Sequence, residues 1–212
     1  EIRWRPALRD NTLVLFCFDN VPEPGAGSAV LFRGFKTQLY EGGVRAPLIV
    51  WGPGLLAAAA AGSVNTTAVL SAMDFAPSLL ALAGAELPEG VDFDGKNRLQ
   101  TLLGAVEPTV DTPLFWRRPP DRKSWAAAGT VLNPDLAMRR GPWKLLCDTD
   151  GSDAELYNLE DDRGETRNVV SEHPQLAEQM KSDLLAWHRA MPADAGDRLG
   201  REVEATIREG AK

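Results

Sequence analysis

Cysteine and long apolar runs are scarce in this sequence, and each shortage excludes a class of protein. The 212 residues contain two cysteines, Cys17 and Cys147. Two are too few for a disulfide scaffold or for a zinc site built from cysteine thiolates. The longest apolar stretches, Leu13–Phe18 and Leu55–Ala61, are shorter than the roughly 20 residues that a membrane-spanning helix needs. The sequence therefore predicts no membrane span.

Positive charge is also in deficit. Lys and Arg number 23 and Asp and Glu number 30, which gives a net charge of −7. This balance excludes binding of nucleic acid or of an anionic membrane by bulk charge, although a local basic pocket remains compatible with it. The hydrophobic fraction of 44% and the charged fraction of 25% are typical of a globular protein with a real core.

The first strong element is an apolar run over Thr12–Phe18, which Asp19 and Asn20 follow directly. A second run covers Ala46–Trp51 and ends at Gly52-Pro53-Gly54. Continuous apolar runs bounded by turn residues predict strands buried on both faces, as in a parallel sheet covered by helices. Cys17 is then expected to be a small buried hydrophobe. The fold class predicted for residues 1–110 is α/β.

After residue 110 the sequence consists of short candidate strands separated by turns, and we therefore place a domain boundary near that residue. Residues 111–191 predict a small α+β subdomain, in which an amphipathic helix over Pro174–Met191 packs on an antiparallel sheet. Residues 192–212 form a charged tail. The four strands predicted for the sheet are Leu114–Arg117, Asp135–Arg139, Trp143–Cys147 and Glu155–Leu159.

Asp19 and Asn20 are the first candidate site residues. They stand at the carboxyl end of the predicted strand, where functional residues of α/β sheets gather. A carboxylate and an amide carbonyl are hard oxygen donors that suit Ca²⁺ or Mg²⁺. The alternative interpretation is an ordinary turn or helix cap.

Lys36 is the second candidate, in a glycine-containing stretch that also carries Arg33 and Arg45. Beside a bound divalent cation, a lysine can neutralise a tetrahedral anion as a point charge. The alternative interpretation is a solvated surface charge. Glu41-Gly-Gly43 in the same stretch is interpreted as a structural turn.

Together these segments resemble the type I sulfatases of the alkaline phosphatase superfamily. Thr12–Asn20 resembles the family's strand that ends in Asp-Asn, and Arg33–Pro47 is similar to its RGGKGTLYEGGIRVP stretch. Asp74–Gly84 is similar to its DLAPTLLDLAG helix. The later family signatures DG, VRxGDWKL and ELYDLxxDPxExxN follow in order at Asp94-Gly95, Met138–Lys144 and Glu155–Asn168.

The resemblance implies an alkaline-phosphatase-like mixed sheet in residues 1–110, the carboxyl-terminal portion of a catalytic domain that hydrolyses sulfuric esters. It implies calcium ligation by Asp19 and Asn20 and sulfate contact by Lys36. The family's nucleophile is a formylglycine made from a Cys/Ser-x-Pro-x-Arg motif, which is absent from this sequence. We therefore expect this chain by itself to be inactive, with an exposed sheet edge that favours oligomers.

Two alternatives stay open at this point. A phosphodiester or phosphonate hydrolase of the same superfamily would carry zinc in the metal site, and a truncated relative would be a non-catalytic binding module. Sugar sulfates, choline sulfate and aryl sulfates are all compatible substrates. The compartment is undetermined: if the parent carries an upstream signal peptide, it would act in the periplasm or outside the cell.

Overall fold

A computed structural model describes residues 2–19, 22–23, 27–86, 89–105, 112–118 and 133–192. By their internal contacts the residues divide into two units. The first comprises Glu1–Asp19 and Ala46–Asp111, and the second comprises Asn20–Arg45 and Thr112–Lys212. Residues 20–45, which the sequence analysis assigned to the first region, thus group with the carboxyl-terminal unit. No helix among the described residues is long and apolar enough to cross a membrane.

Most helices and strands are short, and the longest element is helix α5 of the second unit. In the first unit they are α1 (Pro6–Arg9), β1 (Val14–Cys17), β2 (Leu48–Trp51), α3 (Phe75–Leu82) and α4 (Leu99–Leu102). In the second unit they are α2 (Glu41–Val44), β3 (Leu114–Arg117), β4 (Leu136–Arg140), β5 (Trp143–Cys147), β6 (Glu155–Asn158) and α5 (Pro174–Ala190).

Strand β1 departs from its predicted surroundings. It pairs with β2 in an antiparallel, two-stranded sheet with Phe16 opposite Ile49, and Phe16 is 52% exposed. Cys17 is exposed as well. The expectation of a strand buried on both faces, with Cys17 inside, is therefore wrong for the described residues. Apolar composition makes a strand suitable for burial, but burial also requires other elements to cover its faces.

Helix α3 shows how local sequence sets a helix boundary. Asp74 is the N-cap residue of α3, as the sequence predicts, but its side chain makes no cap hydrogen bond to the helix. Ser71 caps a 3-10 turn over Ala72–Asp74 that leads into the helix. The Asp74 carboxylate accepts a hydrogen bond from the Ser71 N–H at 2.8 Å and completes a capping box. Gly84, with φ +63°, follows the helix end as expected for a C′ glycine.

The second unit contains the antiparallel sheet that the sequence predicts, in the order β3-β4-β5-β6. Successive side chains alternate between its two faces. One face packs against α5 through a buried cluster that includes Met138, Leu145, Met180 and Leu184. The predicted helix and four-stranded subdomain are thus confirmed, with the helix ending one residue earlier than expected.

The opposite face of this sheet is also covered. Ala137, Leu146 and Tyr157 pack there against Leu39 and Tyr40, which come from the segment just before α2. A sheet buried on both faces explains why residues 20–45 group with the carboxyl-terminal unit. It also places the Lys36 segment, defined here as residues 33–45, directly on the sheet.

Candidate functional site

The Lys36 segment is a tight loop closed by backbone hydrogen bonds. The Gly42 N–H donates to the Arg33 carbonyl at 2.7 Å, and the Lys36 N–H donates to the Pro22 carbonyl at 3.2 Å. Thr37 adopts a positive φ of 80°, a conformation that is uncommon outside glycine. The loop therefore carries Lys36, which is partly exposed, on a turn of defined shape.

Two glycines permit this closure. A Cβ at Gly42 would lie 2.5 Å from the carbonyl oxygens of Arg33 and Gly34, and a Cβ at Gly43 would overlap the Gln38 carbonyl. Only glycine allows backbone to approach this closely. The interpretation of Glu41-Gly-Gly43 as a structural turn agrees with this geometry, which includes the single-turn helix α2.

Arg33 joins the start of the loop to the sheet. Its Nη1 donates to the Tyr157 hydroxyl at 2.8 Å, and its guanidinium carbon lies 3.8 Å from the centre of the Tyr40 ring. The hydroxyls of Tyr40 and Tyr157 both donate to the Glu155 carboxylate, at 3.0 and 2.7 Å. Burial and the charge of Glu155 raise the pKa of both tyrosines, so the hydroxyls stay protonated as donors.

Glu41 joins the end of the loop to the sheet through a buried ionic cluster, the Glu41–Lys144–Glu165 triad. Lys144 Nζ lies 3.0 Å from Glu41 Oε1 and 3.0 Å from Glu165 Oε1. The second Glu165 oxygen accepts a hydrogen bond from the Glu41 backbone N–H at 2.6 Å. The side chains of the three residues are at most 2% exposed.

The two carboxylates of the triad have opposite pKa shifts. Burial alone would raise the pKa of Glu41, but Lys144, Arg139 and Arg45 together hold it below its usual value. Burial raises the pKa of Glu165, and the attraction of Lys144 offsets only part of that effect. Glu41 is therefore the stable anion of the pair, whereas ionised Glu165 is held at an energetic disadvantage.

Sequence reasoning assigned no role to Lys144 or Glu165, although they are the Lys of the VRxGDWKL signature and the second Glu of the ELYDLxxDPxExxN signature. A usable signal for Lys144 was its position as a lone charge in the apolar strand Trp143–Cys147, on the face opposite α5. Glu165 adopts φ +51°, and the sequence did not predict this backbone conformation. Arg45, by contrast, was noted from the sequence and lies 3.4 Å from Glu41 Oε2.

Asp19 lies two residues after β1 and is exposed, while Asn20 lies outside the described residues. Asp19 belongs to the first unit and Lys36 to the second. Within the described ranges, no three His, Cys, Asp or Glu side chains form a group that could hold a metal ion. Since Ca²⁺ takes six to eight oxygen ligands, the described residues do not make up a calcium site.

Comparison with known proteins connects these features to one family. The family model described as Sulfatase matches residues 5–85. A sulfatase of Formosa agariphila is 34% identical over 188 residues, which cover 85% of this chain and 33% of that protein. The N-acetylgalactosamine-6-O-sulfatase of Bacteroides thetaiotaomicron is 29% identical over 209 residues, covering 84% of this chain and 36% of that protein.

Solved structures agree with this assignment. The structure of Ps i-CgsB in complex with k-i-k-neocarrahexaose superposes with a TM-score of 0.71 at 25% identity, covering 96% of this chain and 43% of that one. The chain spans about a third of the length of the two curated relatives. The family match, the relatives and the shared fold show that this chain belongs to the sulfatase family.

Proposed function

We propose that this chain forms part of a hydrolase that releases sulfate from an organic sulfate ester, with Lys36 as the residue that contacts the sulfate group. The observation that carries the proposal is the Lys36 segment. It matches the family pattern in sequence and holds Lys36 on a closed loop fixed at both ends, by Arg33 and by Glu41. Such fixation is what a binding group in a preorganised site requires.

The chemistry assigned to Lys36 is electrostatic. Its ammonium group would lie against sulfate oxygens and stabilise the negative charge that grows on them as the ester bond breaks. The nucleophile would come from outside this sequence, since no Cys/Ser-x-Pro-x-Arg motif occurs in the 212 residues. The chain's contribution to the reaction is therefore binding and charge stabilisation.

Calcium is the metal proposed for the enzyme, with Asp19 and Asn20 supplying two oxygen ligands and further ligands coming from elsewhere in the enzyme. A bound ion would supply positive charge for an anionic substrate. The position of Asp19, two residues after the carboxyl end of β1, supports this proposal.

A sulfated saccharide is the substrate class that the comparisons favour. One relative is named for N-acetylgalactosamine-6-O-sulfate, and one similar structure holds a neocarrahexaose. Both names describe those proteins, and this chain resembles both over most of its length. We propose a sulfated sugar unit as substrate on that basis.

The test is a chimera in which this chain replaces the aligned third of the Formosa agariphila sulfatase. Sulfate released from p-nitrophenyl sulfate and from a sulfated galactosamine is measured by ion chromatography. Lys36→Ala is expected to lower kcat by roughly 10²–10³-fold, the loss typical of a transition-state charge stabiliser. A phosphodiester assayed in parallel separates sulfatase from phosphodiesterase activity.

Lys181→Ala is the matched control. Lys181 pairs with Glu178 on the surface of α5 at 2.8 Å, and its loss should leave sulfate release unchanged. A folded chimera that hydrolyses the phosphodiester in preference to the sulfate esters would contradict the proposal. Full activity in Lys36→Ala would contradict the role of Lys36.

A further inference from the structure

We propose that Glu165 and Lys144, which lie in the loop after β6 and on β5, are positioning residues that hold the Lys36 segment in its working shape. This inference rests on the proposed function for the role of Lys36, but its geometric part does not. The two residues act through Glu41, since each makes a separate contact with it: Lys144 with the carboxylate and Glu165 with the backbone N–H.

Glu165 carries the strongest sign of such a role. It adopts φ +51° and is 1% exposed. A non-glycine residue in the left-handed region stores backbone strain, which persists only where the surrounding structure imposes it. Here the strained backbone directs the Glu165 carboxylate into the protein interior, where it accepts a hydrogen bond from the Glu41 N–H at 2.6 Å.

That hydrogen bond caps the N-terminus of helix α2. Glu41 is the first residue of α2, and Tyr40 before it makes no side-chain cap. The first N–H groups of a helix have no partner within the helix and need one from elsewhere. Glu165 supplies the missing acceptor, so the start of α2 is capped from a loop more than 120 residues away in the sequence.

Lys144 fixes the carboxylate of the same residue. It is fully buried on β5, where it pairs with Tyr157 of β6 in the sheet register. Its Nζ donates to Glu41 Oε1 at 3.0 Å. Because weakening the pairing of a buried charge is costly, Glu41 cannot leave this position without taking from Lys144 one of its two carboxylate partners.

Glu41 is linked to Lys36 through the chain of the loop and through the backbone hydrogen bonds that close it. Gly42, the next residue, donates to the Arg33 carbonyl at 2.7 Å, and Gln38 donates to the Phe35 carbonyl at 3.0 Å. These bonds close the loop on both sides of Lys36. A displacement of Glu41 would therefore open the contact that brings Gly42 against Arg33.

Native-state hydrogen exchange of the full chain tests this directly, without substrate. In the wild type, the Glu41 and Gly42 amide hydrogens are expected to exchange only when the sheet unfolds. Their exchange should then have the same urea dependence as that of Leu145 in β5. Exchange of these two amides through a local opening that is insensitive to urea would overturn the proposal.

Two variants at one position separate positioning from general stability. Glu165→Met removes both the charge and the acceptor, whereas Glu165→Gln removes the charge and keeps an oxygen for the Glu41 N–H. The Glu41 amide is expected to exchange about tenfold faster in the Met variant than in the Gln variant. The Leu145 amide should differ little between the two.

Equal exchange of the Glu41 amide in the two variants would overturn the role of Glu165, as would parallel acceleration at Glu41 and Leu145. If Glu165→Met does not fold, the wild-type urea dependence decides the question by itself. Lys36→Ala should leave the exchange pattern unchanged. If the exchange prediction fails but Lys36→Ala still lowers the activity of the chimera, the positioning role of Glu165 and Lys144 is rejected and the proposed function stands. If the exchange prediction holds but Lys36→Ala leaves the activity unchanged, the role of Lys36 in the proposed function is rejected and the positioning of the loop stands.

Discussion

Replacing Lys144 by methionine tests the energetics of the triad most directly. The substitution keeps the length and apolar stem of the side chain and removes the charge that lies 3.0 Å from two carboxylates. Glu41 retains Arg45 at 3.4 Å and Arg139 at 3.8 Å. Glu165, whose side chain is fully buried, loses the one cation within ion-pair distance among the described residues.

The expected loss of stability follows from that imbalance. Removing one partner of a buried ion pair destabilises a protein by about 3–5 kcal/mol, because a charge is left uncompensated. Glu41 keeps two of its cations, so we expect the lower end, about 3 kcal/mol at pH 7. The matched control Lys181→Met breaks the surface pair with Glu178 and should cost well under about 1 kcal/mol.

The penalty should also depend on pH, with a defined sign. Burial already raises the pKa of Glu165 in the wild type, and removal of Lys144 raises it further. A carboxyl whose folded-state pKa is raised destabilises the fold most at pH values above that pKa. The destabilisation shrinks as the pH falls below the folded-state pKa and ends near the unfolded-state pKa. The difference between Lys144→Met and wild type should therefore shrink as the pH is lowered from 7.5 toward 5.

Urea unfolding of the full chain, followed by near-UV circular dichroism at both pH values, measures these quantities. The double variant Lys144→Met/Glu165→Gln should recover much of the loss, because no buried carboxylate is then orphaned. A Lys144→Met midpoint equal to that of Lys181→Met would refute the reasoning. So would a penalty that grows on acidification.

Two further predictions use the thiols and the loop glycines. Cys17 is exposed, whereas Cys147 is buried and has its pKa raised to about 12 by burial and nearby acids. A thiol reagent at pH 8 should therefore modify Cys17 and leave Cys147 unmodified until urea is added. Equal rates of modification at the two thiols would contradict this prediction. Gly43→Ala would place a methyl group against the Gln38 carbonyl and should lower the free energy of unfolding by about 2 kcal/mol or more. An unchanged urea midpoint would show that the loop can relax around the methyl group.

Local pattern was sufficient to predict the carboxyl-terminal subdomain. Its strands and helix follow from alternating apolar residues, hairpin turns and a 3.6-residue period, all of which depend on neighbours in the sequence. Strands β3 and β5 have the predicted bounds, and Leu184 and Met180 lie in the core as the helical spacing requires. The ordered motifs also identified the family before any coordinates were considered.

The sequence by itself thus determined the antiparallel sheet, the amphipathic helix and the family to which the chain belongs. It also marked Lys36, Asp19 and Asn20 as site residues, whose roles stay predictions. Only the tertiary structure decided that Phe16 and Cys17 are exposed and that Lys144 and Glu165 are buried around Glu41. The physical reason is that periodicity records which residues can share a face, whereas burial and ion pairing depend on partners about 100 or more residues away that no local pattern encodes.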